Sequence, residues 1–356
     1  MKIGILTSGG DCAGMNAVIR AFTLRAIHEF GWRVVGFLDG FAGLIDKQFI
    51  TLDEKQVFKI ASQGGTILGT SNNVDPFEYY LPNSTSPIDV SDRVLAYIKE
   101  LHIDALVTIG GDGTQHMAYR LFKLGVPVIG IPKTIDNDLG GTDQTFGFDT
   151  AVSIATEAID RIQTTAESHH RIMLVEVMGR YAGWIALYSG LASGADIILI
   201  PEIPFSLERI KDQIDARVRD GHKYTLIVVS EGAREEGKDY SIMKMVKNSH
   251  DPIRLGGAAA QLGQRLEEET GIEARATVLG HLLRGGVPVS SDRILSTRYG
   301  AGAVDLVADK KFGHMVALRQ GKIASATLEE ATMALRLVTP DHELVARAKQ
   351  VGIIFG

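Results

Sequence analysis

Cys12 is the only cysteine among 356 residues, so the chain can form no internal disulfide and no multi-cysteine zinc site, as expected in a reducing compartment. Basic residues are not in excess either. The 37 Lys and Arg are outnumbered by 43 Asp and Glu, giving a net charge of -6. That balance removes the cationic surface on which binding to phosphodiester backbones depends, so nucleic acid is not an expected partner and any phosphate must be held locally. Long apolar runs are also missing. None approaches the ~18 residues of a membrane helix. The run Ile3-Gly4-Ile5-Leu6 stops at Thr7, too short for the apolar centre of a secretory signal. Repeats, heptads and low-complexity tracts are not visible. A cytoplasmic protein with no membrane partner is expected.

The residues that are present, 45% hydrophobic and 22% charged, make an ordinary globular composition. The length exceeds what one core usually serves, so two domains are expected. Short β-branched runs alternate with segments of helical period, the pattern of a parallel sheet covered by helices on both faces. Strands are predicted at 2–6, 33–38, 105–109 and 126–131, with helices at 15–30 and 91–101, the latter capped by Ser91. A second α/β set follows, with a helix at 149–168 and strands at 171–177, 196–200 and 226–229. The polar stretch 234–251 reads as a surface loop or a short helical excursion.

Three loops at predicted strand ends carry the chemistry. Thr7-Ser8-Gly9-Gly10-Asp11 opens a helix with glycines that let backbone N–H groups approach an anion. Gly110-Gly111-Asp112-Gly113-Thr114 embeds one carboxylate among glycines, so a divalent ion on Asp112 can bridge phosphates. Pro132-Lys133-Thr134-Ile135-Asp136-Asn137-Asp138 brings two carboxylates and a lysine to the edge where open α/β sheets bind ligands. There Asp136 can accept a proton from an attacking hydroxyl, and Asp138 can orient the site or act through the metal. Taken singly, each loop also reads as a tight connection or an Asx turn.

Together with Val175-Glu176-Val177-Met178-Gly179-Arg180 and Ala276-Thr277-Val278-Leu279-Gly280-His281-Leu282-Leu283-Arg284-Gly285-Gly286, these loops resemble the phosphofructokinase family over nearly the whole chain. The resemblance implies two doubly wound αβα domains of the α/β class, with an active-site cleft between them. Residues 1–140 plus 283–333 would bind the phosphoryl donor, and 141–282 plus 334–356 would bind fructose 6-phosphate. It implies Asp136 as the base for the sugar 1-hydroxyl and Asp112 as the holder of Mg2+. Arg180 would meet the transferring phosphoryl group, and Thr134 would hydrogen-bond phosphate or sugar. Gly10, Asn72, Asn73 and Gly111, with Asp112, Gly113 and Thr114, would line the donor site. The sugar site would draw on Ile135, Met178, Gly179 and Glu231. Its 6-phosphate would meet Arg171, Arg275, His281 and Arg284, where guanidinium forks suit a phosphate dianion. In the family, Arg171 and Arg275 reach in from a neighbouring subunit, which implies a homodimer or homotetramer with shared active sites.

Two positions bear on the donor. Gly113 is the ATP-type residue, since an Asp there would crowd and repel the α-phosphate. Lys133 is typical of pyrophosphate users. Steric and charge exclusion decides for ATP, with pyrophosphate as the alternative. Asn72 stands where ATP enzymes of the family usually carry an arginine. Leu24, Gln163, Asp220 and His222 replace most of the family's basic effector site, although Arg20 remains, so weak or absent allosteric control is expected. NAD and lipid kinases share Gly-Gly-Asp-Gly-Thr but lack the Thr-Ile-Asp-Asn-Asp loop. A non-enzymatic sugar-phosphate sensor would have no use for Asp136 and Asp112. Sedoheptulose 7-phosphate offers the same phosphate handle on a longer sugar.

Overall fold

Glycines with left-handed backbones frame the first helix: Gly14 at φ 105° precedes Met15–Phe30, and Gly31 at φ 64° ends it by donating its N–H to Ala26 and Ile27 carbonyls. The computed structural model describes residues 1–81, 84, 86–239, 242–245 and 253–356. In chain order the elements begin β1 (Lys2–Thr7), α1 (Met15–Phe30), β2 (Arg33–Phe37), α2 (Phe41–Ile45), β3 (Phe49–Leu52), α3 (Ser91–Glu100), β4 (Ala105–Gly110), α4 (Asp112–Lys123) and β5 (Val128–Pro132). Next come α5 (Phe148–His169), β6 (Ile172–Val177), α6 (Trp184–Ala192), β7 (Ile197–Leu199), α7 (Leu207–Arg219), β8 (Thr225–Ser230), β9 (Ile242–Met245) and β10 (Ile253–Leu255). The chain closes with α8 (Ala258–Thr270), β11 (Ala274–Val278), α9 (Ser290–Ala308), β12 (His314–Arg319), β13 (Lys322–Thr327), α10 (Leu328–Met333) and α11 (Glu343–Gln350).

The described residues divide into two compact units. One comprises Met1–Thr150 and Arg284–Leu335; the other comprises those within 151–283 together with Arg336–Gly356. Among the described residues the first unit forms a seven-stranded sheet ordered β13-β12-β5-β4-β1-β2-β3. Its interior pairs are parallel, and only the edge pairs β2/β3 and β12/β13 run antiparallel. Leu6, Phe37, Leu106 and Val128 bury one face of this sheet against Phe41, Val94, Leu121 and Leu328 of α2, α3, α4 and α10. Strand residues of the opposite parity, such as Ile3, Ile5, Val107 and Ile129, are equally buried. α1 and α9 pack together and lie against these strands, completing the third layer.

The second unit has a four-stranded, wholly parallel sheet ordered β11-β6-β8-β7. Ile172, Leu174, Ile227 and Val229 pack against Ile210 and Ile214 of α7 and Leu262 and Leu266 of α8. The α/β expectation with mostly parallel sheets therefore holds in both units.

Two local expectations need correcting. Ser91 is not a cap: Val90 takes that position, and Ser91 is the first helical residue, donating its N–H to Asp89 Oδ1 at 2.8 Å. Within the stretch read as a loop or helical excursion, Ile242–Met245 is a strand, paired antiparallel with Ile253–Leu255. Residues 240–241 and 246–251 of that stretch lie outside the described residues.

Candidate active site

Parallel strands end together, so the loops that leave β1, β4 and β5 emerge side by side in the first unit. They are also stitched to one another. Ser8 N donates to Ile109 O at 2.9 Å, and Lys133 N donates to Gly110 O at 3.0 Å. Gln115, fully buried on α4, donates through Nε2 to Gly110 O at 3.0 Å and Ile131 O at 3.1 Å, bridging the Asp112 loop and the strand that enters the Asp136 loop. A fourth segment joins from the side: Thr70 Oγ1 donates to Gly9 O at 2.6 Å, and Gly9 N donates to Ser71 O at 3.0 Å. Gly9 sits at φ 82°, and a Cβ there would lie 3.4 Å from Lys133 Nζ and 3.5 Å from Thr114 Oγ1. This cradle therefore collects Gly10, Gly111, Thr114 and Lys133, with Asn72 and Asn73 exposed at its margin.

Lys133 is 3% exposed, and its ammonium donates to Gly10 O. Burial pulls its pKa down to about 8. Arg284, expected at the sugar phosphate, lies in this unit. Its Nη1 donates to Asp11 O at 3.2 Å, and a Cβ on Gly10 would come within 2.5 Å of it.

The acids form one electrostatic cluster. Burial pushes Asp136 upward, against the opposing pull of the Arg284 and Lys133 charges. Asp138 is pushed up to about 7 by burial first and then by the Asp136 and Asp112 charges. Oδ1 of Asp136 is buried and has no hydrogen-bond partner among the described residues. An orphaned acceptor of that kind is costly unless a ligand donor completes it. Thr134 Oγ1 accepts from Asp136 N at 3.1 Å. Ile135 is buried beside it.

Asp112 opens α4 with a side chain 40% exposed, 3.2 Å from His116 Nδ1, and this neighbour holds the imidazole above its ordinary pKa. Among the described residues no three or more His, Cys, Asp or Glu gather as a metal cage. A lone accessible carboxylate fits an ion such as Mg2+, which keeps its waters and takes most other ligands from phosphates.

In the second unit the loops after β6 and β8 lie together. Ser230 Oγ donates to Gly179 O, Glu231 N donates to Val177 O at 2.9 Å, and Gly232 N donates to Gly179 O at 3.2 Å. Met178, Gly179, Arg180 and Glu231 are thereby brought together, with Arg180 5.0 Å from the Tyr181 ring centre. His281 is exposed, just beyond the end of β11. Arg171 and Arg275 do not join them. They sit where β6 and β11 begin and share the Glu273 carboxylate, Arg171 Nε at 2.5 Å. A six-residue strand separates the two ends of β6 by about 20 Å.

Sequence reading missed Gln115 and Asp292. Asp292, fully buried on α9, accepts from Gly147 N at 2.9 Å, Thr150 N at 2.7 Å and Thr150 Oγ1 at 2.6 Å, capping the start of α5 in trans. Burial pushes its carboxyl up to about 6 against those three donors. Cys12 is fully buried and donates to Phe146 O at 3.7 Å; burial pushes its thiol up to about 12, which makes it a packing residue.

The family model described as "Phosphofructokinase" matches residues 2–307. The chain is 50% identical over 361 residues to ATP-dependent 6-phosphofructokinase 2 of Clostridium perfringens, covering 99% of this chain and 98% of that one. It is 47% identical over 360 residues to the pyrophosphate--fructose 6-phosphate 1-phosphotransferase of Streptomyces coelicolor, with 100% of each covered. Phosphofructokinase from Saccharomyces cerevisiae superposes with a TM-score of 0.79 at 30% identity, over 93% of this chain and 45% of the yeast chain.

Proposed function

Because the chain belongs to the phosphofructokinase family, we propose that it is an ATP-dependent 6-phosphofructokinase acting at the acid cluster of its first unit. The single observation that carries this reading is Asp136 Oδ1, buried and without a partner among the described residues, at the end of a strand where a substrate hydroxyl would complete it. A sugar hydroxyl is too weak an acid to ionise beforehand, so the base must take its proton as the new bond forms. The C1 oxygen of fructose 6-phosphate attacks the γ-phosphorus, its proton passes to Asp136, and the bond to the β,γ-bridging oxygen breaks to release ADP. Asp112 would hold a divalent cation, for which we propose magnesium, and this ion would lower the charge that opposes attack. Asp138 and Thr134 keep Asp136 oriented, and Arg180 offsets charge on the transferring group.

The first unit is the donor-binding one in this reading, with Gly10, Gly111, Gly113 and Thr114 against the phosphates and Asn72 and Asn73 at the rim. The second takes the sugar through Met178, Gly179, Glu231 and His281. Arg171 and Arg275, held at the opposite strand ends, serve the 6-phosphate of a neighbouring copy of the chain, which makes the enzyme a homo-oligomer with shared sites. Arg284 contributes positive charge within the first unit. The setting is cytoplasmic, and effector control is weak or absent.

Pyrophosphate is the second reading, favoured by Lys133 at the donor loop. A coupled assay for fructose 1,6-bisphosphate with each donor separates the two. Turnover with ATP is expected, and turnover with pyrophosphate alone would overturn the choice made on Gly113.

A further inference from the structure

Among the described residues no hydrogen bond to Oδ1 aims the Asp136 carboxylate, on which the Arg284 and Lys133 charges pull. Oδ1 has no partner among the described residues, and the residue is held only by its backbone N–H on Thr134 Oγ1. The main chain around it sets where the carboxylate starts from. Two contacts from one downstream residue supply it. Thr145, 0% exposed, donates its hydroxyl to Thr134 O at 2.6 Å and its N–H to Asn137 Oδ1 at 3.0 Å. These land on either side of Ile135 and Asp136 and close the segment into a short bridged loop.

The bridge also holds a residue with a left-handed backbone. Asn137 lies in the left-handed region at φ 51° and is 3% exposed. Asparagine tolerates that region better than most residues, and a fixed partner for its side chain holds it there. The Thr145 N–H on Oδ1 is one such constraint, and the turn it holds sets Asp136 and Asp138 within each other's field. Thr145 is itself firmly rooted. Phe146 pairs with Lys133, Gly147 N donates to Asp292, and Tyr299 OH donates to Gln144 O at 2.5 Å.

We propose that Thr145 is a positioning residue for phosphoryl transfer, clamping Thr134 and Asn137 so that the carboxylate between them meets the acceptor hydroxyl. This rests on Asp136 being the base. A clamp that acts on geometry changes turnover and leaves ground-state binding in place.

The test compares Thr145→Val, Thr145→Ser, Asn137→Gly and Asp136→Asn, with kcat and both KM values measured on protein whose melting temperature is recorded. Thr145→Val is expected to lower kcat by about 10- to 100-fold, the scale of a small misplacement of a reacting group, while both KM values stay within about twofold. Thr145→Ser, which keeps the hydroxyl, is expected to recover kcat to within about threefold of the parent. Asn137→Gly tolerates the same backbone angle but lacks the acceptor, so it is expected to lose kcat even if the valine variant does not fold. The proposal is overturned if Thr145→Val or Asn137→Gly turns over like the parent while Asp136→Asn is inactive, or if Thr145→Ser falls as far as Thr145→Val. Parent-like turnover by Asp136→Asn would instead remove the assignment of the base, and the clamp with it.

Discussion

The strand-end loops of the first unit are tied to one another on every side, through Gln115, Lys133, Thr70 and the Ser8 amide, whereas those of the second meet chiefly through Gly179. Lys133 and the Oδ1 atom of Asp136 are buried, while the Arg275 side chain is exposed and Arg171 partly so, on a shared glutamate. The contrast follows from the tasks proposed for the two units. Groups that must face charge as it develops benefit from a fixed, dry setting. Groups that grip a preformed phosphate need only reach it, and they can be released from Glu273 when it arrives.

The hardest blow to this contrast comes from Asp136→Asn, expected to lower kcat by about 10²- to 10⁴-fold with little change in KM. Arg275→Ala should act the other way. Its kcat is expected to hold, and KM for fructose 6-phosphate to rise by about 10- to 100-fold, the worth of a charged hydrogen bond. Mixing the two variants sharpens the point: a fraction of sites with the parent's KM and kcat is expected if the arginine serves a neighbour's site, and none if it serves its own. A third outcome concerns pH. Because burial raises Asp136, and Asp138 reaches about 7, more of the pair is protonated as pH falls through neutrality. A protonated base cannot take the hydroxyl proton, so the acid limb of kcat/KM is expected above the ordinary aspartate range. The last comparison leaves catalysis for stability and sets two buried helix caps side by side. Asp292→Ala removes three donors' acceptor at α5, and Glu176→Ala removes two at α8, those of Gly257 at 3.0 Å and Ala259 at 2.9 Å. Urea unfolding is expected to show losses of about 3 and about 2 kcal/mol respectively.

Some of this was open to sequence reading because the signals are local. α1 runs over Met15–Phe30 as predicted, since its period and flanking glycines lie within one stretch of chain. β1, β4 and β5 fall within two residues of expectation for the same reason. Edge strands β3 and β13 went unread, because short half-exposed runs such as Phe49–Leu52 become strands only through a neighbour. Ser91 looked like a cap, but Asp89 accepts its N–H and the helix already begins at Ser91. The site's acids were legible in their glycine- and aspartate-rich loops. Thr145, Gln115 and Asp292 were not, as their partners are fixed by the packing of separate elements. Arg284 was placed by resemblance alone, and its approach to Gly10 is a tertiary fact.

The Lys133 ammonium has a further consequence. It is engaged by the Gly10 carbonyl, so it shapes the floor of the cradle as much as it neutralises anything placed there. Converting such an enzyme from one phosphate currency to another is then a question of ground plan: removing the lysine would slacken a loop, and adding an acid at position 113 would still leave that floor in place. Evolution would have to move both positions in concert, and lineages with different donors can for that reason retain the same scaffold.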